Sequence, residues 1–292
     1  MKTKLICIFT ILVTCAAPHC GFAAGVATDS ATDAAYNDGW QTGDNGGSGW
    51  GSVWTLTPSG AGATFSTGNS AGNGDGDTSA PTGDINTPQD ASGRAWALAA
   101  STGFTADAFR LFDGPLSVGQ TFLIDCDTGT LTSGTQAGLR LENASGNALW
   151  EFHFNANSFS YIISDGGGSS IKFGTVTDEG VHLAFTLTSA TNYSVSMTPL
   201  GSSSATTRNS TLISAVGGPD IARFHLFFTG NAPSTTANQQ FFNSTAVVPE
   251  PGTTGLLILG CTLLAIRRGL TVDPRHVVRG FGGSGGSEFR AE

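Results

Sequence analysis

Leu149-Trp150-Glu151-Phe152-His153-Phe154 alternates strictly, with Trp150, Phe152 and Phe154 on one side and Glu151 and His153 on the other. A period of two over a short run marks a β-strand with one buried face. Val181-His182-Leu183-Ala184-Phe185-Thr186-Leu187 repeats the pattern, as does Tyr193 to Met197, and Phe224-His225-Leu226-Phe227-Phe228 is apolar on nearly both sides. Outward from these, roughly twelve to fourteen such runs recur between Gly, Asn, Asp and Ser clusters, at the spacing of an antiparallel sandwich. No sustained helical period occurs between the two ends, and no internal repeat points to a propeller or solenoid. The expected fold is all-β, a two-sheet antiparallel sandwich of jelly-roll type, flanked by an N-terminal signal helix and a short C-terminal apolar helix.

Composition agrees. The chain has 292 residues, of which 12% are charged, about half the usual share. Its 41 Gly and 11 Pro fall short of a low-complexity chain, and 39% hydrophobic residues with 19 Phe can build a core. Disordered acidic tails, collagen, coiled coils and Lys/Glu-rich helical bundles are poor fits. Between residues 25 and 247, eighteen acids face six bases, a balance that repels a phosphate backbone and sets nucleic acid aside. Of five cysteines only Cys126 lies in this body, so no intramolecular disulfide can form there. Cys126 alternates with Phe122 and Ile124, which points it inward as a structural thiol.

The ends are addresses. Lys2 and Lys4 precede an apolar run from Leu5 to Ala17, and Gly21-Phe22-Ala23 offers small residues at a cleavage site, so 1–23 is expected to be a signal peptide removed by signal peptidase. The alternative is an uncleaved anchor. Thr14 before Cys15 is a poor lipobox. At the other end, Val248-Pro249-Glu250-Pro251 leads into an apolar run, Thr253 to Ile266, and then Arg267-Arg268. The prolines hold the acid on an extended linker. As a helix the apolar run would measure about 21 Å against about 30 Å of hydrocarbon, a marginal span with its basic end on the cytoplasmic side.

This three-part order resembles the PEP-CTERM sorting signal of exopolysaccharide-producing Gram-negative bacteria. The resemblance implies transient inner-membrane anchoring by a short C-terminal helix and recognition by an exosortase, an integral-membrane cysteine-protease-like enzyme. Pro249, Glu250, Pro251, Arg267 and Arg268 are the processing residues it implies. It also implies export through the inner membrane to the cell surface or extracellular matrix. The domain reading is then a sandwich over 24–246, a sorting segment over 247–268 and a flexible tail over 269–292. Read-through, a fused remnant and a genuine tail all remain open for this last stretch, which such proteins usually lack.

Residues 25–93 are rich in Gly, Asn, Asp, Ser and Thr, with Tyr36-Asn37-Asp38-Gly39-Trp40 and Asn45-Gly46-Gly47-Ser48-Gly49-Trp50 before Val53-Trp54-Thr55-Leu56. Here, and at Gly93-Arg94-Ala95-Trp96, Ala108-Phe109-Arg110, Leu116 to Phe122 and Phe241-Phe242-Asn243-Ser244, the body resembles a group of PEP-CTERM proteins. That resemblance implies a concanavalin-A-like, lectin-like sandwich and carries over no catalytic residue.

Three chemistries have candidates. Asn73, Asp75 and Asp77 in Asn73-Gly74-Asp75-Gly76-Asp77 offer oxygen ligands to Ca²⁺, with Asp84 and Asp90 as additional donors. An EF-hand loop would need further acids and a terminal Glu, and the bland alternative is a solvated turn. No other cofactor is expected. Arg140 with Glu142, Glu151 with His153 and Arg223 with His225 would, if adjacent, make a polar sheet face that hydrogen-bonds sugar hydroxyls; the alternative is a solvated face with ion pairs. Glu151, His153, Trp40 and Trp50 are the candidate glycan contacts, and buried tryptophans would favour a structural protein instead. Catalysis has the least support. No Glu-x-Asp-x-x-Glu strand and no His-Glu-x-x-His motif is present, and Gly-x-Ser-x-Gly does not occur in a strand-turn-helix setting. The chain is therefore expected to be a non-catalytic module associated with extracellular polysaccharide, with a ligand-free matrix or coat protein as the alternative.

Overall fold

The computed structural model describes residues 27–70, 85, 94–156, 158, 160–176, 180–230 and 238–249. Fifteen strands are described: β1 (Ala27–Asp29), β2 (Thr55–Pro58), β3 (Ala63–Gly68), β4 (Ala95–Ala100), β5 (Thr105–Leu111), β6 (Thr121–Thr128), β7 (Gln136–Glu142), β8 (Ala148–Asn155), β9 (Ser160–Asp165), β10 (Gly168–Thr175), β11 (Val181–Leu187), β12 (Asn192–Pro199), β13 (Thr206–Thr211), β14 (Arg223–Thr229) and β15 (Gln240–Val248). The one helical element among the described residues is a 3-10 turn, Ala34–Tyr36. The signal and C-terminal helices expected from the sequence lie outside the described residues.

The strands form two antiparallel sheets, as the alternation predicts. The first runs β13-β12-β11-β6-β15-β4-β3, with β1 also paired to β15; the second runs β10-β9-β8-β7-β14-β5-β2. Alternate residues meet between them. Val181, Leu183, Phe185 and Leu187 of β11 pack inward with Trp150, Phe152, Phe224, Leu226 and Phe228 of the second sheet. Cys126 is buried as expected, and burial pushes its thiol well up.

β15 changes partner halfway. Gln240–Phe242 pair with β4, and Thr245–Val247 pair with β1, on either side of a bulge at Asn243-Ser244. Ser244 takes the left-handed conformation there, φ 53°. The Asn243 side chain serves the gap: its Oδ1 accepts from Ala31 N–H at 2.9 Å and its Nδ2 donates to Arg94 O at 3.1 Å. A side-chain amide thus replaces ladder bonds the bulge removes. Of the four Asn-x-Ser/Thr sequences, those at Asn143 and Asn243 have fully buried asparagines and cannot accept a glycan in the folded protein.

The Gly-rich N-terminal segment supplies core. Asp29 Oδ2 accepts from Tyr36 O–H at 2.6 Å, from Trp54 Nε1 at 3.1 Å and from Arg110. Arg110, on β5 of the opposite sheet, also donates to Ser52 O, Asn45 Oδ1 and Gly46 O. Both members of the Asp29–Arg110 pair have no exposed side-chain surface. Burial pushes the Asp29 carboxyl up to about 7 despite the Arg110 guanidinium. A Cβ at Gly46 would come within 2.4 Å of the Tyr36 ring, and Gly47, at φ +66°, would come within 1.7 Å of Thr28 O. The Asn-Gly-Gly sequence is therefore a packing requirement.

Candidate functional site

The outer face of the second sheet collects the charged residues that alternate with its core. One row across the strands reads Phe109, His225, Arg140, Glu151, Ser164, from β5 through β14, β7 and β8 to β9. The next row reads Asp107, Phe227, Gly138, His153, Ile162, and a third reads Leu111, Arg223, Glu142. All six residues paired off in the sequence reading thus share one face.

His225 is the centre of this arrangement. Its Nδ1 lies 2.7 Å from Glu142 Oε1 and its Nε2 lies 2.8 Å from Asp107 Oδ1. Only the imidazolium can donate at both nitrogens at once. Burial alone would lower the His225 pKa, but the bonds to Asp107 and Glu142 outweigh it and hold the ring above its ordinary range. The ring lies on Phe109, with centroids 4.1 Å apart. Arg223 donates to Glu142 Oε2 at 2.7 Å and covers Phe109, its guanidinium carbon 4.6 Å from the ring centroid. Burial raises the Glu142 carboxyl, and His225 and Arg223 together bring it below the usual range.

A second cluster adjoins it. Arg140 donates to Glu151 Oε2 and lies 4.1 Å from the Phe227 centroid. His153 Nδ1 sits 2.7 Å from Glu151 Oε1, an ion-pair separation off the axis of a directed hydrogen bond. Burial again opposes ionisation of Glu151, and His153 and Arg140 again win, lowering it.

Beside the clusters, Ser52, Thr55, Thr57, Phe109, Leu111 and Arg223 line an open depression of about 400 Å³, together with Arg110, whose side chain has no exposed surface. It offers hydroxyls, one aromatic and one cation in a fixed frame, which suits a polyhydroxylated ligand lying across the strands. Sequence reasoning missed Asp107, Phe109, Thr55 and Thr57. Phe109 is flagged only by its alternation with the inward Ala108 and Arg110.

Four expectations need correction or placement. Trp40 is 3% exposed, edge-on to Trp54 at 5.0 Å, and is closed to any ligand from solvent. The Gly-rich segment in which it lies folds inward, because its aromatics are the partners of Asp29 and Arg110. Trp50 is half-buried, and its indole N–H is spent on Thr28 O at 3.1 Å. His153 and His225 lie on the outer face, as the alternation of their strands predicts, but are buried, since neighbouring side chains on the face cover them; His182, on the other sheet, is half-buried and paired with Asp125 at 2.6 Å. Asn73, Asp75 and Asp77, together with Asp84, Asp90, Glu250, Pro251, Arg267 and Arg268, lie outside the described residues, and Pro249 is the last residue within them. Among the described residues no group of three or more His, Cys, Asp or Glu is placed to hold a metal, and no helix is long and apolar enough to cross a membrane.

No protein-family model and no curated protein matches this chain. Solved structures do resemble it. The catalytic domain of a glycoside hydrolase family 131 protein from Coprinopsis cinerea is 12% identical, with 65% of this chain and 79% of that one covered at a TM-score of 0.42. The CBM2 module of an evolved Dit protein of Lactobacillus casei BL23 phage J-1 is 11% identical, with 78% and 98% covered at 0.43. Against a GH43 glycoside hydrolase with an engineered active site, identity is 10% and the TM-score 0.38; 55% of this chain is covered, and it spans only 35% of that one. At such identities the likeness is one of fold, and the superpositions are too loose to transfer a role.

Proposed function

We propose that the protein is an exported, non-catalytic module that binds extracellular polysaccharide across the outer face of the second sheet. The observation that carries this reading is the network of Asp107, His225, Glu142 and Arg223 beside Phe109 and the depression next to it. Its polar groups are fixed by partners before any ligand arrives, which lowers the ordering cost of binding. A glycosidase acid would need a raised carboxyl, and Glu142 and Glu151 are both lowered. The sorting reading belongs to the same proposal: signal peptidase removes 1–23, and an exosortase acts at Pro249-Glu250-Pro251 while the apolar run before Arg267-Arg268 anchors the chain. Calcium held by Asn73, Asp75 and Asp77 is its remaining element.

The test is titration calorimetry of the protein against xylan, mixed-linkage β-glucan, alginate and the producer's own exopolysaccharide, with calcium and with EDTA. Saturable binding to one polymer, weakened at least tenfold by Phe109→Ala, is the expected result. Loss in EDTA would locate calcium in the binding mechanism. A second reading, a matrix or coat protein with no specific ligand, is favoured by the burial of Trp40, Trp54, Trp96 and Trp150; absence of binding to every polymer would leave it standing. Release of reducing ends from any polymer would overturn the non-catalytic reading.

A further inference from the structure

The chain enters and leaves the sandwich at one pole. Ala27, the first residue of β1, faces Val247, and Val248, the last of β15, faces Thr121 at the start of β6. The β5–β6 loop joins both sheets there: Leu116 N–H donates to Ile221 O ahead of β14, and Gly119 N–H donates to Leu187 O at the end of β11. The β7–β8 hairpin belongs to the same pole. Its Asn143 and Asn147 amides donate to Val216 O at 2.9 and 2.8 Å and hold the loop ahead of β14. So does the start of β2, where Thr55 faces Phe109 near the end of β5.

Four large hydrophobic side chains are exposed among the described residues: Val53 at 41%, Leu111 at 42%, Val118 at 59% and Val216 at 86%. All four lie at this pole. Scattered exposed aliphatics need no account, but their confinement to the end where the chain leaves the fold does. Val118 is also presented by a fixed turn, since Gln120 Oε1 accepts from Ser117 N–H at 2.7 Å. Among the described residues the exposed ionisable groups at this pole are Asp113 and Asp220, and the one base beside them, Arg223, is half-buried and paired with Glu142, so no cluster of Lys or Arg there draws it to anionic surfaces.

Beyond Val248 only Pro249, Glu250, Pro251 and Gly252 precede the apolar run that begins at Thr253. Four residues reach at most about 14 Å. The other apolar run, Leu5 to Ala17, leads by sequence to Ala27 at the same pole. We propose that this pole lies against the lipid bilayer while the C-terminal run is attached, with Val118 and Val216 at the interface. The inference rests on the anchoring reading above. It would hold Glu250 within one tether length of the membrane, where an integral-membrane protease works.

The full chain, with Cys7, Cys15, Cys20 and Cys261 replaced by serine and buried Cys126 retained, is reconstituted into phosphatidylethanolamine–phosphatidylglycerol vesicles carrying nitroxide lipids. A fluorophore is placed at Val118→Cys, Val216→Cys or, at the opposite pole, Ser202→Cys. Quenching at 118 and 216 several-fold above that at 202, unchanged in high salt, is the expected result. Equal quenching at all three on vesicle-bound protein overturns the apposition while leaving membrane attachment intact. A difference that vanishes in high salt overturns the apolar contact. A chain that does not float with the vesicles overturns both the apposition and the anchoring on which it rests.

Discussion

Asp29–Arg110 and Glu142–Arg223 are both carboxylate–guanidinium pairs that draw on the second sheet, and their carboxyls shift in opposite directions. The first joins β1 of one sheet to β5 of the other with neither side chain exposed, and the Asp29 carboxyl is raised to about 7. The second lies within one sheet on its outer face, with Arg223 27% exposed and His225 as a further partner, and the Glu142 carboxyl is lowered. Burial acts upward on both acids. What differs is whether enough partners oppose it. The inner pair closes the fold, while the outer one keeps its groups ionised on the outer face of the sheet, under the cover of neighbouring side chains.

The contrast breaks most directly at Arg110. Arg110→Met would strand Asp29 and the Gly46 carbonyl in the core and take a donor from Asn45 Oδ1 and the Ser52 carbonyl nearer the surface. Loss of a buried partner costs about 3–5 kcal/mol, read by urea denaturation. The double variant Asp29→Asn/Arg110→Met should recover part of that loss, because no buried charge is left alone. A cost under about 1 kcal/mol for the single variant would place the pair in the surface class. Should Arg110→Met fail to fold, Trp54→Phe removes one donor to Asp29 and Tyr36 and reads the same cluster more gently.

The same contrast divides what the sequence made legible. β8, β11 and β12 declared themselves by alternation and β14 by a short apolar run, and the outward placement of Arg140, Glu151 and Arg223 was legible too. Inward placement of Tyr36, Trp40 and Trp54 was not. They lie in Gly/Asn-rich stretches with no period, and the partner that organises them, Arg110, is 81 positions from Asp29. Nor does alternation give depth. It put His225 and Glu142 outward, but their burial comes from Phe109, Arg223 and Asp107 on neighbouring strands, and strand pairing cannot be read from a single strand. Phe227, the residue that made β14 apolar on both sides, is outward and covered by Arg140.

The outer face should yield smaller losses. Glu142→Gln removes the charge shared by Arg223 and His225 and should cost about 1.5–3 kcal/mol, since hydrogen bonds to a charged group are at stake. Arg140→Ala should cost about 1 kcal/mol or less, because the Arg140 side chain is 30% exposed. Urea denaturation of the three variants should therefore rank Arg110→Met above Glu142→Gln above Arg140→Ala. Inversion of the first two would make the outer network the structural one.

The smallest effect is the most diagnostic, because the two regions should answer pH differently. A native Asp29 pKa of about 7 means the folded chain keeps a proton that an unfolded carboxyl, near 3.9, has released. Stability from this source is present at low pH and lost as pH rises towards 7. Glu142 runs the other way: its contribution is present above the unfolded value near 4.3 and lost as pH falls through its lowered native value. His225, raised by Asp107 and Glu142, contributes fully below the unfolded value near 6.5, and that contribution is lost as pH climbs through its native value. The outer clamp is therefore strongest between the native values of Glu142 and His225, while the inner pair weakens steadily across the acid half of that window. Thermal melts of Asp29→Asn, His225→Gln and the parent from about pH 4 to about pH 9 separate the two. Asp29→Asn should flatten the decline below pH about 7, and His225→Gln the decline above about 6.5. If Asp29→Asn leaves the acid limb unchanged, the inner carboxyl is ionised throughout, Arg110 outweighs burial after all, and the two pairs are of one kind.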